Sequence, residues 1–198
     1  MDTRTLLDFM NLAEKLKCRL RHSWTSDGRQ ESVAEHTFRL CMFAWLVRDE
    51  IEGVDMDRVM QLCLFHDIGE AVTGDIPAFE KTEEDRRRER DVLQEIPSRL
   101  PKKQKSELES ILNELEENKT PEAKLLHALD KMEALIQHNE ASTDTWLPLE
   151  YDLQMTYGET ESQAFPYTAL LREKIREDSR EKIRREHSRR KGEIRQHE

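Results

Sequence analysis

Apolar residues recur at three- and four-residue steps at Leu6, Phe9, Met10, Ala13 and Leu16, which predicts a first amphipathic helix. A polar stretch, residues 23–30, follows and carries the turn dipeptide Asp27-Gly28. Ser32 and Glu35 then have the spacing of a capping box. The helix they open is predicted to run to about Asp49. It is apolar on nearly every side (Phe38, Leu40, Cys41, Met42, Phe43, Trp45, Leu46), the pattern of a buried central helix. Gly53 ends that unit, and Asp55 caps a second helix with Val59, Leu62, Cys63 and Phe65 facing inward. It reaches His66-Asp67 and stops near Gly69.

Residues 71–79 read as a loop or short helix. Residues 80–117 are highly charged and predict two outer helices split near Pro97 and Pro101. Thr120-Pro121-Glu122 is a helix start, and the helix from Pro121 to about Glu140 buries Leu125, Leu129, Met132 and Ile136. Residues 146–157 look less regular, and a last helix follows Pro166. No strand pattern, repeat or linker persists. The expected architecture is all-α: a single-domain helical bundle over residues 1–198, with central helices wrapped by charged ones and a charged C-terminal helix at about 167–198.

Composition narrows the class. Hydrophobic residues make up 36% of the 198, and charged residues 37%, low apolar content that still suffices for a core. Three cysteines cannot build a disulfide framework. The longest uncharged apolar run, residues 40–47, is far short of the ~20 residues of a membrane helix. No secretory signal is legible, so a reducing, cytoplasmic setting without membrane is expected. The net charge of −10 is uneven: residues 171–198 hold 11 basic and 7 acidic residues, and the rest hold 21 and 35. So acidic a body is not expected to form a stable nucleic-acid complex, and an anionic substrate would need a local cation. The basic tail reads as an exposed helix laced with ion pairs, with a subunit contact or a polyanion as sharper alternatives.

Four ionisable residues fall where the pattern demands apolar ones: His36, the pair His66-Asp67, and Asp130 among Leu126, Leu129 and Met132. A buried carboxylate costs several kcal/mol unless it is paired or metal-bound. Taken alone, each histidine reads more readily as a core histidine, each aspartate as a partly exposed or ion-paired residue, and Cys63 as a small buried hydrophobe. Together, two histidines and two aspartates from three helices suit one divalent transition metal: Mn, Fe, Co, Ni or Zn, with Mg also admitted. Glu70 and Asp75 add two acids just past the pair. Glu70 stands where a carboxylate can take a proton from an attacking water.

His36, His66-Asp67 thirty residues on, and then Asp130 follow the H…HD…D order of the HD-domain metal-dependent phosphohydrolases. ESVAEH at residues 31–36, HDIGEAVTGDIP at 66–77 and Arg21-His22-Ser23-Trp24 resemble the YfbR-type 5′-deoxynucleotidase branch. The resemblance runs from about Leu6 to Ile136. It implies an all-α bundle that hydrolyses deoxynucleoside 5′-monophosphates, and a homodimer. By that resemblance His36, His66, Asp67 and Asp130 hold the metal. Glu70 activates water, Asp75 works beside it on the sugar's 3′ side, and Arg21 and Trp24 hold phosphate and sugar. In some members the arginine and tryptophan are adjacent, whereas here two residues intervene. A related activity on an alarmone, a triphosphate or a cyclic dinucleotide is the alternative, as is a metal- or nucleotide-binding module without turnover.

Overall fold

The computed structural model describes residues 1–77 and 79–194, the side chains of 189–194 excepted. Helix α1 (Thr3–Glu14) leads into a hairpin of β1 (Leu20–Trp24) and β2 (Gln30–Ser32). Helices α2 (Val33–Val47) and α3 (Met56–Phe65) follow, then the single turn α4 (Glu70–Thr73). The charged outer pair is α5 (Glu83–Glu95) and α6 (Lys102–Glu117). After α7 (Pro121–Glu140) come α8 (Pro148–Thr156), the short α9 (Glu159–Ser162) and the long α10 (Pro166–Ile194). Residues 195–198 of the expected C-terminal helix lie outside the described residues, and so does Ala78.

The caps read from sequence are made. Ser32 accepts from the Glu35 amide while the Glu35 carboxylate accepts from the Ser32 amide at 2.8 Å, which opens α2. Asp55 caps α3, and Thr120 caps α7 ahead of Pro121. The centre is α2, α3 and α7 packed on one another, with Leu40, Ala44, Val59, Leu62, Leu126, Leu129 and Met132 all buried. A second apolar cluster joins α1 to α6 and to the turn after α3 through Leu12, Leu16, Ile68, Ile96 and Leu108. No described helix is long and apolar enough to cross a membrane.

The structure departs from the expected pattern in three places. The polar stretch at residues 23–30 lies in an antiparallel hairpin with an irregular register, turning at Gly28 with φ +85°. So the all-α class holds with one small ribbon added. Residues 146–157, expected to be irregular, hold α8, started by Pro148 at its first turn. And α2 is not apolar all round because it is enclosed. Phe38 is 67% exposed, Met42 50%, Trp45 54% and Leu46 63%, so one side is bare.

Candidate metal centre and active-site cavity

His36 lies in the first turns of α2, His66 and Asp67 just past the end of α3, and Asp130 mid-way along α7. Packing α2, α3 and α7 together therefore turns three distant segments onto one point. The two Nε2 atoms stand 3.3 Å apart. Asp130 Oδ1 is 3.0 Å from His36 Nε2, and Asp67 Oδ2 is 2.9 Å from His66 Nε2. The crossed separations are 3.9 and 4.0 Å.

What lies behind each ring settles what faces the centre. His66 Nδ1 is 2.8 Å from the Cys63 carbonyl, which only accepts, so that nitrogen carries the proton. His36 Nδ1 is 2.6 Å from Glu133 Oε2, buried on α7 one turn beyond Asp130. Both tautomers follow from these partners, and both leave a bare lone pair on Nε2. Two imidazole lone pairs and two carboxylate oxygens at 2.9–4.0 Å repel one another unless positive charge lies between them. His36, His66 and Asp67 form a compact trio whose separations suit bonds of about 2.1 Å to a divalent ion, and Asp130 stands beside it against His36. Without an ion the acids hold protons here instead: burial and Arg21 oppose a charge on His36, yet Asp130 and Glu133 raise its pKa to about 10, so a cation at this point takes the place of the proton on Nε2. Burial likewise opposes ionisation of Asp67 and Asp130, and the two histidines bring both below the usual carboxylate range.

A cavity of about 240 Å³ opens beside this cluster. Arg21 enters it from β1, with Nη1 3.4 Å from Asp67 Oδ2 and Nε 3.4 Å from Glu31 Oε2. Glu70, at the start of α4, is buried there with Oε2 unpartnered. Burial first, then Asp67 and Asp75, push its carboxyl up to about 9. Burial raises Asp75 as well. Gly74, at φ +78°, turns the chain between the two acids. Lys81 lines the same wall, paired with Glu89 at 2.9 Å.

Seven of the eight residues singled out in the sequence thus gather at this cavity or the cluster behind it. Trp24 does not: it is outside the cavity lining, and its carbonyl accepts from Gln137 Nε2 at 2.7 Å. The irregular register of β1 and β2 puts Arg21, His22 and Ser23 on the cavity instead, and its aromatic surface comes from His22, Phe79, His138 and Tyr157. Sequence reasoning also missed Glu133, although a second acid three residues past Asp130 on an apolar stripe was a legible signal. It missed Lys81, His138 and Glu150; Glu150 sits in the stretch read as irregular and left no signal.

A profile of the HD-domain family matches residues 13–168. The 5′-deoxynucleotidase HDDC2 of Homo sapiens is 33% identical over 141 residues, which cover 69% of this chain and 68% of that protein. Its namesake in Danio rerio is 34% identical over 139 residues, 68% of each chain. That in Dictyostelium discoideum is 30% identical over 68% of this chain and 76% of its own length. Among solved structures, a predicted metal-dependent phosphohydrolase from Magnetospirillum magnetotacticum MS-1 has a TM-score of 0.78. It covers 90% of this chain and 93% of its own at 22% identity, a likeness of fold.

Proposed function

This chain belongs to the HD-domain family, and from that membership we propose that it is a metal-dependent 5′-deoxynucleotidase, releasing phosphate from deoxynucleoside 5′-monophosphates. The observation that carries the reading is the convergence of His36 Nε2, His66 Nε2, Asp67 Oδ2 and Asp130 Oδ1 at one wall of a cavity that also holds Arg21 and Glu70. Hydrolysis of a phosphate monoester is among the slowest reactions in water, so the site must supply a large reduction in barrier. His36, His66 and Asp67, with Asp130 beside them, would hold a divalent cation, which would neutralise phosphoryl charge and make a water more acidic.

The chain's own residues do the rest. Glu133 and the Cys63 carbonyl fix both imidazoles with Nε2 turned to the cation. Arg21, steadied by Glu31 and Asp67, offers its remaining N–H groups to the phosphate oxygens in a fixed fork. The Glu70 carboxyl receives the proton of the attacking water. Burial and its acidic neighbours raise its pKa, Arg21 and Lys81 work against that, and a divalent charge beside Asp67 works the same way. Asp75, across the turn at Gly74, takes the sugar's 3′ side. The native metal is a transition ion such as Mn, Co, Fe, Ni or Zn, or Mg. Three free thiols and a soluble mononucleotide substrate suit the reducing cytoplasm.

The test is phosphate release from a panel of deoxynucleoside and ribonucleoside 5′-monophosphates after chelation and return of Mn, Co, Mg and Zn in turn. Activity should vanish on chelation and return with at least one metal, with inorganic phosphate as product. Pyrophosphate or triphosphate released from a longer nucleotide, with monophosphates inert, would replace this reading by the related activity.

A homodimer fits the bare side of α2. Phe38, Met42, Trp45 and Leu46 repeat at four-, three- and one-residue steps along it, and Leu20 shares a groove with Phe38. With two aromatics among them, these side chains leave on the order of 500 Å² of apolar surface in water, at the upper end for a monomer. A second copy laid two-fold on the same face would cover it. Phe38→Glu with Trp45→Glu is expected to halve the mass measured by light scattering while the metal site stays loaded. A monomeric wild type would remove the interface.

A further inference from the structure

The cavity has a second polar end. Asp130, Ala134 and His138 lie at i, i+4 and i+8 on α7, and all three line it. At 1.5 Å per residue, His138 stands about 12 Å along the helix from Asp130. A nucleoside monophosphate laid along this face with its phosphate beside Asp130 therefore brings its base toward His138. There His138 meets His22 of β1 and Glu150 of α8, which the proposed chemistry does not use.

Glu150 is buried at 3% exposure, and its two oxygens have different partners. Oε2 accepts from the Leu147 amide at 2.6 Å. Oε1 faces both rings, 3.0 Å from His22 Nε2 and 3.6 Å from His138 Nε2. A carboxylate withdrawn from water beside two imidazoles is a costly arrangement for packing alone. It is not a second metal centre either. Among the described residues the compact ligand trios are His36, His66, Asp67 and Glu31, His36, Glu133. Burial lowers the affinity of His138 for a proton, which favours the neutral ring. At 3.6 Å Glu150 is too far to hydrogen-bond His138, and a neutral imidazole always has one acceptor nitrogen to offer a ligand. Around it the walls are flat and apolar. Phe79 stands edge-on to His22 at 6.0 Å and 89°, and Leu135 and Leu153 line the cavity beside them. Apolar walls with a hydrogen-bond acceptor match a planar heteroaromatic ring with N–H groups on its edge.

We propose that His138 and His22, seated on Glu150, form the nucleobase subsite of this cavity, with His138 accepting from a base N–H and setting the preference among bases. The assignment rests on the nucleotidase reading for its substrate and on the trio's geometry for its location. Glu150 is a positioning residue; His138 is the residue that touches the base.

The experiment compares kcat/KM for the four deoxynucleoside 5′-monophosphates with that for 2-deoxyribose 5-phosphate, in the metal-loaded wild type, His138→Leu and His138→Asn. The wild type should favour the best nucleotide over the sugar phosphate by tenfold or more, because a site built around a hydrogen bond discriminates against ligands lacking it. His138→Leu should cut that ratio at least tenfold, mainly through KM. His138→Asn keeps an acceptor, and should retain part of the ratio and reorder the bases. Calorimetry with the four deoxynucleosides and with 2-deoxyribose reads the same subsite without turnover, and the nucleosides should bind at least tenfold tighter than the sugar. Nucleoside binding intact with no phosphate released from any nucleotide would sink the enzymatic reading and support the subsite. A wild type that binds nucleosides no better than deoxyribose, or a ratio that His138→Leu leaves in place, overturns the proposal.

Discussion

Asp67→Ala abolishes phosphate release and takes the bound metal with it; His66→Ala does the same. The Asp67 carboxylate stands 2.9 Å from His66 Nε2 and 3.4 Å from Arg21 Nη1, so its loss removes a ligand and one anchor of the arginine together. Removing a group that acts only as part of a metal-centred unit lowers kcat by about 10³-fold or more. The measurements are phosphate release at saturating Mn or Co and metal content after desalting. A third readout separates a lost ligand from a damaged fold. Metal at a hundred times its dissociation constant stabilises the folded state by about 2.7 kcal/mol. Chelation should therefore lower the melting temperature of the wild type and leave that of Asp67→Ala where it is. Near wild-type turnover in either variant at saturating metal would show that the ligands had been misassigned.

Glu70→Gln keeps the metal and loses the rate. Its Oε2 has no hydrogen-bond partner, and none of the cluster's close separations involves it, so the amide substitutes without disturbing the ligands. What disappears is the group that receives a proton, worth about 10²- to 10⁴-fold in kcat. KM should move far less than kcat, since nothing that grips the phosphate has changed. If metal content falls along with the rate, Glu70 is itself a ligand and the water's proton goes elsewhere.

Glu133 shows how near the sequence came to the rest of the centre. The search for polar residues on apolar stripes found Asp130 and passed over the acid one turn along. Yet the Glu133 carboxylate, 2.6 Å from His36 Nδ1, is what turns the other nitrogen toward the centre of the cluster. Tautomer is a property of a contact between α2 and α7, and no spacing along one helix encodes it. Trp24, named through the family resemblance, lies outside the cavity lining for a related reason: the irregular register of the hairpin decides which side each residue takes.

The bare side of α2 carries the same lesson at larger scale. An unbroken apolar run reads as burial, because periodicity records which residues avoid water and not what covers them. Leu40, Ala44 and Val47 are covered by α3 and α7; Phe38, Met42, Trp45 and Leu46 are left open. The pattern was right about hydrophobicity, and only the packing decided whether the cover came from this chain.

Local chemistry was sufficient for much of this protein. Capping boxes, proline starts and three-four periodicity are set by residues within one turn of each other, so Ser32, Asp55 and Thr120 announced the central helices directly. The order of His36, His66-Asp67 and Asp130 announced a metal, because such side chains on apolar stripes need a cation or one another. Everything that depends on two segments meeting was decided in three dimensions. The 3.3 Å approach of the imidazoles, the proton-holding partners behind them, the cavity that excludes Trp24, and the His22–Glu150–His138 trio at its far end all come from contacts between elements dozens of residues apart. Distances of that kind are fixed by how whole helices pack, and packing is a sum over the entire interior that no short stretch of chain contains.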